Sequence, residues 1–276
     1  MQNIQFDSTQ TFDINDYDTA LVCCDTEGSI QAPNFEGLDT LQKRLKAFID
    51  NGDFKAKAGN IFTLYSDTES SLKRVIVICL DAEKPMSSKA YIESIESLAE
   101  ALNNTGAKKS INVTTNIVPA GRDAQWCATT QARILQRSFY DYAHASRGEF
   151  PNKESSLKAM TFIDIAKDAL SIGQATALGM ELTQDLANMP SNFCTPTYLA
   201  ETAQSLAQQY GFNAKVLERE EMIEMGMGSF MAVAQGTPTP PKLICLEYNG
   251  AGEDAPIALV GKGVTFDTGG ISLKPG

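Results

Sequence analysis

The chain has 276 residues, room for two ordinary domains, and with 43% hydrophobic against 21% charged residues it can fill a packed core. Its net charge of 23 − 34 = −11 argues against a broad surface for nucleic acid or anionic membrane, because phosphate binding needs lysine and arginine. No apolar run approaches the roughly 18 residues of a membrane span, and residues 1–18 carry neither the basic start nor the apolar core of a signal peptide, so neither is expected.

Residues 3–6 and 19–24 read as short strands. Residues 37–50 read as a helix with Leu38, Leu41, Leu45 and Phe48 on one face. Two β-branched, apolar strands follow at 60–65 and 74–80, separated by a polar turn at 66–71. Residues 87–103 form a helix whose buried stripe is Tyr91, Ile95, Leu98 and Leu102, with Gly106 just past its end. Residues 111–117 alternate as a strand, and 123–144 read as a long helix carrying Trp126, Ile134, Phe139 and Tyr140. A polar loop around Pro151 leads to a strand at 158–163. An Ala-rich helix at 164–188, interrupted by Gly173 and Gly179, then reads as a linker between domains. This alternation predicts an α/β layer structure with a mostly parallel sheet for residues 1–163. No internal repeat or low-complexity segment is visible.

A second domain is expected over 189–276. It opens with a loop between Pro190 and Pro196, then a helix at 197–210 with Thr195 as its cap. A strand at 212–217 and a short helix at 218–225 follow, the helix ended by Gly226 and Gly228. A proline-rich turn at 237–241 precedes a strand at 242–248. After a loop at 249–255, the apolar run at 256–262 reads as a buried strand. Sites in open α/β sheets gather at the carboxyl ends of strands, which is where this run delivers the chain.

Six cysteines are scattered without any C-x-x-C pair. Cys23, Cys24, Cys79 and Cys245 lie in apolar strand-like runs, and Cys127 and Cys194 complete the set. Buried reduced thiols are expected, against the alternatives of a disulfide or a thiolate metal site. The lone histidine, His144, makes a histidine-rich zinc site or a Ser-His-Asp triad a poor fit, and a surface or interface role is expected. Asn188, Asn192 and Cys194 beside prolines read as loop-satisfying residues. Met222, Met225, Met227 and Met231 read as core or interface packing rather than a cofactor box.

The densest signal is the run from Val260 to Gly276. Glycines at 261, 263, 269 and 270 let the backbone turn or approach a bound group. Among them stand Lys262, Asp267 and Lys274. Charges entering an interior are costly unless paired, and a metal ion is one such partner. Taken alone, these residues admit blander readings. The phosphate-loop spacing G-x-x-x-x-G-K-[ST] is absent, Lys274 fits a surface lysine, and Asp267 fits a turn residue.

Taken together, Gly261 to Pro275 closely resemble the leucyl aminopeptidase family, or cytosol aminopeptidases, whose pattern G-K-G-[VI]-[TC]-F-D-[ST]-G-G-[IL]-[ST]-[IL]-K-P is matched at every place. Asn188 to Pro196 is similar to the family's N-x-P-x-N-x-x-x-P segment. Glu221-Met222, Gly226 to Gly228, Ala234 to Gly236 and Pro241 to Ile244 resemble its next stretch. The likeness is strong from about residue 170 onward and is mainly one of layout before it.

The resemblance implies an N-terminal α/β (macro-like) domain with a mixed sheet over 1–163, a linker helix over 164–188, and the start of a dimetal catalytic domain over 189–276. It implies Lys262 and Asp267 as metal ligands and Lys274 as the catalytic electrophile. A carboxylate can bridge two cations through its two oxygens. A lysine coordinates only as the neutral amine, a form that an adjacent divalent cation favours. A charged ammonium can hold a developing oxyanion. The implied reaction is hydrolysis of the N-terminal peptide bond of a peptide with a free amine, by water held on two divalent ions, Mn2+ or Zn2+. A cytoplasmic homohexamer is implied, with no membrane partner and nucleic acid an unlikely one. The family's further aspartate and its N-T-D-A-E-G-R segment are not in the chain, which therefore reads as the N-terminal portion of a longer protein, inactive alone. The alternatives are a DNA-binding or regulatory role, or a non-catalytic role in assembly.

Overall fold

The two strands with the most continuous apolar sequence lie side by side in the interior of a sheet that has seven strands among the described residues. In the computed structural model, which describes residues 4–66, 71–80, 86–114, 118–142 and 156–266, β2 (Thr19–Cys24) is buried at all six positions. β5 (Arg74–Cys79) is buried at five of six. Runs buried on both faces are the signature of parallel strands covered on either side. β2 and β5 pair parallel and in register from Thr19↔Arg74 to Cys24↔Cys79. β6 (Lys109–Asn112), β7 (Ala159–Ile163) and β1 (Gln5–Thr9) extend the parallel set on the other side of β2. β4 (Ile61–Tyr65) closes the far edge antiparallel to β5, and the short β3 (Ile30–Gln31) pairs antiparallel with the end of β2. The order is β1-β7-β6-β2-β5-β4, a mixed sheet dominated by parallel pairs.

Helices cover both faces because their apolar stripes match the sheet's. α2 (Ser88–Asn103), α3 (Ala124–Arg137) and the N-terminal half of α4 (Lys167–Asn188) pack on one face. Tyr91, Ile95, Leu98, Leu135 and Leu170 there share a core with Leu21, Ile76, Ile78 and Phe162. On the other face Leu41 and Leu45 of α1 (Leu38–Asp50) meet Val22, Val75 and Val77. Each fully buried leucine, isoleucine or valine of this kind contributes roughly 1.5–3 kcal/mol. Ser87 and Asp123 accept backbone N–H bonds from Ala90 and Trp126 and so fix the starts of α2 and α3.

Two elements end earlier than their sequence periodicity predicts. The helix expected to reach residue 144 stops at Arg137, where a tight turn carries Phe139 into the core; His144 lies outside the described residues. The strand expected to reach 117 stops at Asn112, whose side-chain oxygen accepts from both the amide and the hydroxyl of Thr114 and draws the chain off the ladder. Residues 115–117 lie outside the described set.

The chain divides into two compact units, 1–184 and 185–276. In the second, Thr195 caps α5 (Pro196–Tyr210) and Gly211, at φ 73°, ends it in the left-handed region. β8 (Asn213–Leu217) and β9 (Leu243–Glu247) form a two-stranded antiparallel sheet, with α6 (Arg219–Glu224) and α7 (Gly228–Ala234) between them in sequence. Of the methionine group, Met222 is fully buried and packs in the core, while Met225 is exposed. The strand expected at 256–262 is not formed. Ile257, Leu259 and Val260 are 89%, 94% and 98% exposed, because among the described residues no strand offers them a ladder.

Candidate metal centre

In the second unit the described residues that lead to the motif run from β8 through β9 to Lys262. Glu218, at the junction of β8 and α6, receives an ion pair from Lys242 at the start of β9, and its amide donates to the Glu221 carboxylate at 2.9 Å. These contacts pin the two ends of the α6–α7 excursion to one place. After β9 the chain turns through Gly252 at φ 66° and runs on to Lys262. Lys262 is exposed, and its carbonyl accepts the amide of Val264 at 3.2 Å. Gly263 passes close to α5: a Cβ added there would stand 3.8 Å from Leu199 Cδ1, an ordinary contact.

Of the three residues singled out by the motif, Lys262 alone is among those described; Asp267 and Lys274 lie outside them. Among the described residues no group of three or more histidines, cysteines, aspartates or glutamates comes together in a way that could hold a metal ion. Lys262 by itself is one donor, too few for a cation site. The sequence reading missed the Lys242–Glu218 pair. The only sign of it was a lysine opening an apolar strand, which is not enough to name the partner.

Elsewhere the titratable groups have structural employment. An open depression of about 610 Å³ beside β1 and β7 is lined by Asp7, Asp13, Asp16, Lys109, Phe12 and Tyr17. Asp7 is held below its ordinary pKa chiefly by a hydrogen bond from Lys167, 2.7 Å away. Asp13 caps a single helical turn by accepting from the Asn15 amide, and Lys109 sits 4.9 Å above the Tyr17 ring. The cysteines are free thiols, five of them buried; Cys245, expected in a buried strand, is exposed on β9. Burial pushes the Cys23 thiol up to about 12. Its neighbour Cys24 is driven up first by its hydrogen bond to Cys79 and then by burial. Such thiols are poor nucleophiles.

The sequence model of the cytosol aminopeptidase family's N-terminal domain matches residues 21–147, and that of its catalytic domain matches residues 181–276. A probable cytosol aminopeptidase of Hydrogenovibrio crunogenus is 47% identical over 281 residues, covering 100% of this chain and 57% of that protein. One from Cupriavidus metallidurans is 37% identical over 265 residues, covering 91% and 52%. Among solved structures, a mutant of tomato leucine aminopeptidase superposes with a TM-score of 0.76 at 23% identity, over 97% of this chain and 55% of that one. The bottromycin maturation enzyme BotP in complex with Mn gives 0.66 at 20% identity, over 85% and 46%. At these identities the structural likeness speaks for the fold alone. The chain spans about half the length of the curated relatives it matches. The two domain matches together take in most of the sequence: the chain belongs to the cytosol aminopeptidase family.

Proposed function

We propose that the protein containing this chain is a metallo-aminopeptidase of the leucyl type, acting on peptides with a free N-terminus. The observation that carries this reading is the unbroken match of Gly261 to Pro275 to the family pattern, inside a stretch that the catalytic-domain model covers from 181 to 276. In this reading Lys262, as the neutral amine, and Asp267 hold metal, and the Lys274 ammonium polarises the scissile carbonyl and takes up the charge that develops on its oxygen. Two divalent ions, manganese or zinc, would supply the activated water and a hold on the substrate's amine. A manganese complex is known for the structural neighbour BotP, which favours such ions without choosing between them. The remaining donors would come from outside the described residues. A homohexamer in the cytoplasm is the assembly and location this family reading carries with it. So is the division into an N-terminal domain over 1–163, a linker helix over 164–188 and the start of the catalytic domain over 189–276.

The test is to purify the protein that contains residues 1–276 and follow hydrolysis of a leucyl anilide. Turnover should vanish on chelation and return with Mn2+ or Zn2+, and an N-terminally acetylated substrate should be refused. Hydrolysis that survives exhaustive chelation, or that proceeds equally on the acetylated substrate, would overturn the proposal.

A further inference from the structure

We draw no further inference here: the strongest candidate, the apolar surface of the second unit formed by Leu246 and Tyr248 at the end of β9 and by Ile257, Leu259 and Val260 after it, is an unpartnered face, and nothing in the structure shows what covers it.

Discussion

Lys274 is the residue on which the proposed chemistry turns, and its removal has a defined signature. An ammonium that engages the substrate oxygen mainly in the transition state contributes to kcat rather than to metal retention. In the active protein Lys274→Ala should therefore lower kcat by about 10²–10³, the usual effect of losing one oxyanion-stabilising donor, with metal content unchanged. A well-folded variant with normal turnover of a leucyl anilide would remove the role. Asp267→Asn should behave differently. The amide keeps the shape but offers one weaker oxygen and cannot bridge two cations, so both metal content and turnover should fall; two metals per subunit with normal activity would reduce Asp267 to a turn residue. The thiols divide just as clearly. Burial holds Cys23 protonated, a hydrogen bond to Cys79 and then burial do the same for Cys24, and burial raises Cys127 and Cys194 as well, whereas Cys245 stands exposed on β9. Iodoacetamide at about pH 8 should modify Cys245 of the 276-residue chain at least about tenfold faster than any other cysteine. Peptide mass mapping reads the order, and early labelling of Cys23 or Cys24 would contradict the packing of β2.

At the scale of elements, α4 shows how a helix read as a linker is built into a core. Ala169, Leu170, Gly173, Ala177 and Glu181 are all buried on one side of it. Thr129 of α3 donates to the Ala169 carbonyl, and Gln174 donates to the carbonyl of Ile4 at 2.6 Å. A Cβ at Gly173 would meet the Thr129 carbonyl oxygen at 2.3 Å and the Arg133 amide nitrogen at 3.1 Å, both of them backbone atoms that cannot give way. Gly173→Ala should therefore cost about 1–3 kcal/mol through overpacking, in spite of the better helix propensity of alanine. Gly179, on the same helix, has nothing within 4 Å of such a Cβ, and Gly179→Ala should stabilise by about 0.5–1 kcal/mol. Thermal melts of the two variants should move in opposite directions, and an unchanged Gly173→Ala melt would mean that α3 and α4 are not in this contact. The contrast marks what the sequence can and cannot convey. The stripes of α1 and α2, the Thr195 cap of α5 and the apolar runs of β2 and β5 were legible because periodicity, capping and uninterrupted apolar sequence are local signals. α4 was legible as a helix, but the reason for Gly173 lies on α3, far away in the chain. β3 has two residues and no period to detect. Residues 256–262 look like a strand by composition, yet a strand exists only where another offers a ladder, and composition does not report the partner. The same holds for the proposed site: the motif supplies residue types, of which Lys262 alone is among the described residues, and a motif does not report which donors would stand around it.

At the scale of the whole molecule, the two units differ in how much of their apolar surface is covered. The first encloses a continuous core on each face of its sheet. The second leaves Val233, Leu246, Tyr248, Ile257, Leu259 and Val260 in solvent. Apolar area kept in water forfeits roughly 25 cal/mol per Å², and exposed apolar patches favour association. Residues 1–276 expressed by themselves should therefore lose the second unit first on heating, and hydrogen exchange should be much faster in β8 and β9 than in β2 and β5. Equal protection of the two pairs of strands would show that the second unit is stable with its apolar surface in water. A pair of metal ions ~3.5–4 Å apart is held by several carboxylates, but the motif supplies Asp267 with one amine, Lys262, and no cluster of three acidic, thiol or imidazole groups exists among the described residues. With the chain spanning about half of its relatives' length, residues 1–276 alone should bind Mn2+ or Zn2+ weakly and hydrolyse a leucyl anilide at least about a thousandfold more slowly than an active relative, on the scale of losing more than one catalytic group. The decisive measurement is the two assayed side by side in excess metal, with calorimetry to read the affinity. Turnover within tenfold of the relative would mean that the donors present in these 276 residues suffice, and the ligand assignment built on the motif would have to be redrawn.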